Sequence, residues 1–207
     1  MIEINLEIKS ESGIIENTIK FPTSYDDLTY KQYVTINKIL LEDIDNKIKD
    51  KKILSYLLNI SLEEVGHLYQ DTYNQLIEYL NFLTEEIPVT NPIRYLKLNG
   101  QSYFMRDEHS LTVNEQEFID NMQNEYGMFE AMPYIIGLMF TLKGEEDNLI
   151  TQEQLDKMAG FVQEVSVAQI YNVFFSFGNM PQMSSSNIVT YLKNQLEEIT
   201  TKALEMI

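Results

Sequence analysis

The chain has 207 residues, of which 15 are basic and 32 acidic, giving a formal net charge of −17 and a pI near 4.4. It has no cysteine, which excludes disulfides, thiolate nucleophiles and zinc–cysteine sites and leans towards a reducing compartment. This length suits one domain or two small ones and can bury roughly 70% of the surface that the unfolded chain exposes.

Phosphate recognition needs clustered basic side chains. Arg94 and Arg106 are the arginines here, and the lysines are scattered. Direct groove binding to nucleic acid and docking on an anionic membrane are therefore disfavoured. The opening Met1-Ile2-Glu3-Ile4-Asn5-Leu6 has no basic start and is not expected to be a signal peptide. The longest apolar run, residues 132–142, contains Pro133 and Gly137 and falls far short of the ~20 residues that a spanning helix needs.

Ile2, Ile4, Leu6 and Ile8 alternate with polar residues, the period of a half-buried strand. Turn chemistry at Ser10-Glu11-Ser12-Gly13 predicts a return strand over 14–21, so a hairpin opens the chain and Pro22 ends it. Thr29 with Gln32 predicts a capping box, and Leu28 with Tyr33 a hydrophobic staple. Tyr33, Ile36, Ile39 and Leu40 then form one helical face. Residues 42–52 read as a charged, exposed segment, and Ile53, Leu54, Leu57 and Leu58 as a short buried helix. Ser61 with Glu64 marks another start. Asp71 is read as the cap of a longer helix carrying Tyr73, Leu76, Ile77 and Leu80. Pro88 and Pro92 close this half.

Asn99-Gly100, between residues 93–98 and 101–106, is a type I′ turn signal and predicts a second hairpin. Thr112 with Glu115 starts a helix bearing Phe118, Ile119 and Met122. Residues 128–142 read as a core helix with Pro133 in its first turn or at a break. A polar loop, 143–148, follows. Thr151 with Gln154 and Ser166 with Gln169 start two more helices, the second capped by Gly178. Residues 179–186 form a linker, and a last amphipathic helix runs from about Asn187 with Ile188, Leu192, Leu196, Ile199 and Ala203 as its stripe. The expected class is α+β and mainly helical. Its parts are 1–88, 89–180 and 181–207, or one compact domain containing all three. Asp27-Leu28-Thr29 and Ser110-Leu111-Thr112 echo one another after the two hairpins. Duplication and convergent capping chemistry explain that echo about equally well.

Catalytic constellations are sparse. Glu64-Val65-Gly66-His67 has the Glu-x-x-His spacing of di-iron bundles, but those sites need a second such pair. The other histidine, His109, follows Glu108 in an expected loop. Gly-x-Ser-x-Gly and phosphate-loop patterns do not occur. Glu145-Glu146-Asp147 lacks the alternating ligands of a calcium loop. No metal, no cofactor and no catalytic residue is expected, although 32 acidic side chains leave carboxylate pairs open. The 13 tyrosines and 10 methionines are more informative, with core packing at helical spacing the leading reading and a partner surface the other. Phe174, Phe175 and Phe177 beside Met180 and Met183 form a candidate surface, with core packing as the alternative for the phenylalanines. Leu192, Leu196 and Ile199 form another, which packs back on the domain or reaches a neighbouring subunit. Homo-oligomerisation is open through either.

The order of these blocks carries a resemblance. A hairpin runs into Phe21-Pro22-Thr23-Ser24-Tyr25-Asp26-Asp27-Leu28-Thr29-Tyr30-Lys31-Gln32-Tyr33. Ile60-Ser61-Leu62-Glu63-Glu64-Val65 follows, then a second hairpin and the Leu111-Thr112 start, then Met132-Pro133-Tyr134-Ile135-Ile136 and Phe174-Phe175. Over most of its length this pattern resembles small proteins of the structural gene clusters of tailed bacteriophages, including crAss-like phages. No short motif within it is diagnostic. The resemblance implies a non-enzymatic role among other phage structural proteins, in the virion and in the host cytoplasm during assembly. Three versions stand: an internal, cargo or head–tail component of the particle; a tail assembly chaperone absent from it; and a connector ring subunit, in which long exposed hairpins are more usual.

Overall fold

The computed structural model describes residues 1–10, 13–88, 94–106, 111–142 and 150–176. Strands β1 (Ile2–Ser10) and β2 (Gly13–Phe21) form the first hairpin, in continuous antiparallel register from Ile2↔Phe21 to Ser10↔Gly13. Four helices follow: α1 (Tyr30–Leu41), α2 (Asn46–Leu58), α3 (Leu62–Gly66) and α4 (Gln70–Tyr79), the last tightening into a 3-10 turn over Leu80–Thr84. Strands β3 (Tyr95–Leu98) and β4 (Gln101–Met105) form the second hairpin. Asn99 and Gly100 both take positive φ there, 48° and 78°, as the type I′ turn requires. Helices α5 (Val113–Tyr126) and α6 (Met128–Met139), strand β5 (Phe140–Leu142), and helices α7 (Gln152–Gln163) and α8 (Val167–Ser176) complete the described chain. The class is α+β, as the alternation of periods predicts.

Four helix starts carry the same complete device. Thr29, Ser61, Thr112 and Thr151 each accept from the backbone amide three residues on, and Gln32, Glu64, Glu115 and Gln154 reach back to the cap amide. At α8 the Gln169 amide donates to the Ser166 hydroxyl, 3.3 Å away. An aliphatic residue precedes every one of the five caps: Leu28, Ile60, Leu111, Ile150 and Val165. Each cap contributes about 1 kcal/mol. The Leu-Thr echo between the two hairpins is thus one instance of a device used five times.

The structure corrects the sequence reading at several points. Residues 46–58 form one helix, α2, capped by Asp45 through the Lys47 amide at 2.8 Å and closed by Asn59 in the left-handed region. Its charged first half faces solvent, which hid its helical period. Asp71 does not cap α4, because that helix starts at Gln70 after Tyr69, without a side-chain cap bond. Leu40 is exposed, and Tyr30 takes the inward place on α1. The run 128–142 is not all helix. At Phe140 the backbone extends, and β5 pairs with β4 to make a three-stranded sheet, β3-β4-β5. Pro133 lies inside α6, past its first turn.

Two hydrophobic clusters fill the interior. One gathers Leu6, Phe21, Leu28, Ile36, Leu54 and Leu76 from the N-terminal elements. The other gathers Leu96, Ile119, Ile135, Ile136, Phe140 and Val162. Each receives residues from the other's half. Tyr30 at the start of α1 sits in the second cluster, and Val167 and Ala168 at the start of α8 sit in the first. The two helix starts are clasped antiparallel. Tyr30 donates its amide to the Val165 carbonyl at 2.8 Å, and Val167 donates to Leu28 at 2.8 Å, with Thr29 bridged to Ser166 between them. Helices α6 and α7 approach closely at Gly137, where an added Cβ would stand 2.9 Å from Leu155 Cδ1 and 3.3 Å from Met158 Cβ. Glycine suits that contact despite its cost in a helix.

Candidate partner-binding surfaces

Of the candidate residues read from the sequence, Phe174 and Phe175 lie on the last turn of α8, and their side chains fall outside the described residues. Phe177, Met180, Met183, Leu192, Leu196 and Ile199 lie outside them too, as do Gly178, the linker and the last helix. His109, the acidic run 145–147 and Pro92 are in the same position. His67 is described and exposed. It closes α3, and its carbonyl accepts from the Lys9 amide at 3.2 Å. Glu64 is committed to the cap. Its Oε2 accepts from the Ser61 amide at 2.7 Å and hydroxyl at 2.8 Å, and these bonds hold its carboxyl below the ordinary range. The Glu64–His67 spacing therefore serves a helix end.

A concave surface lies between α1, α5 and α6, a cleft of about 330 Å³. Its floor is Tyr30, Val34 and Phe129, its walls are Met122, Tyr126 and Tyr134, and Lys31 and Lys38 stand at its rim. Tyr126 is 52% exposed. Lys38 pairs with Glu130 across the cleft at 2.8 Å. Aromatic and methionine walls adapt to varied apolar partners, and two lysines with one glutamate leave the cleft a small positive balance on a chain this acidic. The sequence signal for this surface was the stripe Phe118–Met122, whose next i+4 position is Tyr126.

Beneath the cleft, tyrosines tie the two clusters together. Tyr33 packs edge-on against Tyr25, Phe129 and Tyr171, with ring centroids 6.0–6.1 Å apart. Its hydroxyl lies 3.3 Å from that of Tyr171. Burial pushes the Tyr171 and Tyr30 phenols well above the usual tyrosine range, with Tyr33 adding to each. Burial, then Tyr33 and Glu85, pushes Tyr25 up to about 12. A raised phenol favours the folded state while it stays protonated. That contribution is complete below the ordinary pKa near 10 and is lost as pH rises above it. An alkaline absorbance titration is therefore expected to show two of the 13 tyrosines, Tyr30 and Tyr171, ionising only as the chain unfolds, with Tyr25 lagging near pH 12. Thirteen phenols titrating together near pH 10 would contradict this arrangement.

Two further surfaces are open. Tyr95 and Phe104 face each other across β3 and β4, 55% and 40% exposed. On β2, Ile14 and Ile15 are 56% and 41% exposed. Among the described residues Asp50 is the carboxylate held above its ordinary range, by burial and then by Asp45. It lines a cleft between α2, α3 and α4 with Lys47, Lys51 and Tyr73. Burial and then Asp50 raise the Tyr73 phenol.

No helix among the described residues is long and apolar enough to cross a membrane. No family model, curated protein or solved structure matches the chain.

Proposed function

We propose that this chain is a non-enzymatic, virion-associated protein of a tailed bacteriophage, an internal or head–tail component that works by binding other structural proteins. The observation that carries the reading is the form of the α1–α5–α6 cleft. It is apolar and aromatic within, carries Lys31, Lys38 and Glu130 around it, and lies over a tyrosine-linked junction. Binding sites for protein segments have this anatomy, with aromatic anchors inside a polar rim. Glu64, one of the polar side chains that sequence reading singled out for chemistry, closes a helix end. The phage context rests on the pattern resemblance.

A second reading, a tail assembly chaperone, draws on the same cleft. A chaperone needs an adaptable apolar groove on a highly charged, soluble body. Mass spectrometry of purified particles and of infected cells separates the two. A virion protein is expected in particles at a copy number matching head, portal or tail symmetry. Presence in infected cells with absence from particles gives the chaperone. Absence from both particles and assembly intermediates overturns the phage reading.

A further inference from the structure

The β1–β2 hairpin is a second surface, independent of the cleft. Its two strands are unequally covered. Leu6 and Ile8 on β1 are 1% and 2% exposed. Their register partners, Asn17 and Ile15, share that face and are open to solvent. The outer edge of β1 is engaged near its end, where Ile8 bridges to Leu68 and the Lys9 amide reaches His67. In the two-stranded sheet that the described residues form, β2 has β1 on one side and an open edge on the other. Edge strands are normally blunted by proline, bulges or inward-pointing charge. Strand β2 has no proline, its register is unbroken, and Ile15, Asn17 and Ile19 occupy its inward positions.

We propose that β2 is a self-association edge: two copies pair β2 with β2 antiparallel about a two-fold axis at Asn17, giving a four-stranded sheet. The strand's own sequence identifies a second copy as the occupant. Around Asn17 it reads Ile15-Glu16-Asn17-Thr18-Ile19. Antiparallel pairing centred there sets Ile15 against the partner's Ile19 on one face, with Asn17 meeting Asn17 between the two apolar pairs. On the other face Glu16 meets Thr18 and Ile14 meets Lys20, so each Glu16 is diagonal to the partner's Lys20 and the two Glu16 are diagonal to each other, two attractive pairs against one repulsive. Centring on Glu16 would oppose two carboxylates, which is destabilising. Centring on Thr18 would set Ile15 against Phe21, which is fully buried in its own core. The Asn17 register sets exposed Ile15 against half-buried Ile19 and puts no like charges directly opposite each other.

Two consequences follow. A nine-residue strand pair buries less than the ~1,200 Å² of a stable interface, so association is weak and concentration-dependent. Two bodies of net charge −17 repel, so added salt strengthens the pairing. An isologous contact also closes at two copies, whereas a connector ring is built from heterologous contacts.

The cysteine-free chain makes the test direct. Residues directly opposite in an antiparallel pair have Cα atoms about 4.5–5.5 Å apart, within disulfide reach. Asn17→Cys, oxidised mildly at about 100 μM, is expected to run mostly as a covalent dimer. Glu7→Cys is the control. Residue 7 sits on β1, three strand spacings or about 14 Å from its symmetry mate, and stays monomeric. Adding Ile15→Lys to Asn17→Cys is expected to lower cross-linking at least tenfold with an unchanged circular dichroism spectrum. Equal cross-linking at positions 7 and 17 overturns the proposal, as does a purely monomeric sedimentation profile of the unmodified chain at high concentration and salt. Either failure leaves the virion reading untouched, since that is decided by particle composition.

Discussion

Arg106→Met is expected to destabilise the fold by about 3 kcal/mol, at the lower end of the range for breaking a buried ion pair. Arg106 is 4% exposed and stands just past β4. Its Nη1 donates to Glu115 Oε1 at 2.9 Å and to the Leu138 carbonyl at 3.2 Å. Its amide donates to the Met139 carbonyl at 2.8 Å. One side chain thus joins the second hairpin to the start of α5 and to the C-terminal end of α6, where the helix dipole favours a cation. Glu115 serves both its own capping box and the arginine. Burial alone would raise its carboxyl, but bonds from the Thr112 amide, Arg106 and the Thr112 hydroxyl outweigh burial and hold it below the ordinary range.

The pH dependence follows from that direction. A depressed carboxyl stabilises the fold above its ordinary pKa near 4.3, and this is lost as pH falls through the lower folded value. Urea melts at pH 7 are therefore expected to show the full cost of Arg106→Met, and melts near pH 3 a much smaller one. Arg106→Met with Glu115→Gln should recover part of the loss, because no uncompensated carboxylate is left buried. Equal costs at both pH values would mean that Arg106 contributes through packing and its Leu138 bond and not through Glu115.

The legible parts of this fold were those where local chemistry decides the outcome. Capping residues fix helix starts within one turn, so Thr29, Ser61, Thr112, Thr151 and Ser166 were readable. Asn99-Gly100 fixed the second hairpin because few residues accept positive φ. What escaped was set by distant contacts. The first half of helix α2 read as an exposed charged segment because its lysines hide the helical period, and burial of Ile53, Leu54 and Leu58 anchors its second half. Strand β5 looked like the end of a helix because residues 140–142 are as apolar as those before them, and the presence of β4 is what extends them. The cleft escaped for the same reason. Its lining comes from separate helices with no shared sequence period, and Met122 was the one lining residue read as part of a helical stripe on α5. Legibility therefore ended where a residue's environment is supplied from far along the chain.

Tyr30 shows that limit most plainly, and its replacement carries the other large effect. Tyr30→Ala is expected to cost about 3–5 kcal/mol, the usual range for emptying a buried aromatic site. For a chain of this size that is a fall in Tm of roughly 10 °C or more. Part of the effect is polar. Pro133 has no amide hydrogen, so it cannot donate to the carbonyl four residues back, that of Phe129. The Tyr30 hydroxyl donates to that carbonyl instead, at 2.9 Å, from a site 1% exposed. The proline inside α6 and the first residue of α1, 103 positions apart by their numbers, are thus one unit. Tyr30→Phe leaves the carbonyl unanswered and should cost about 1–3 kcal/mol. Pro133→Ala restores a donor, so in that background Tyr30→Phe should cost markedly less. A double-mutant cycle by urea denaturation measures the difference directly. Strict additivity would show that the hydroxyl does not compensate for the proline.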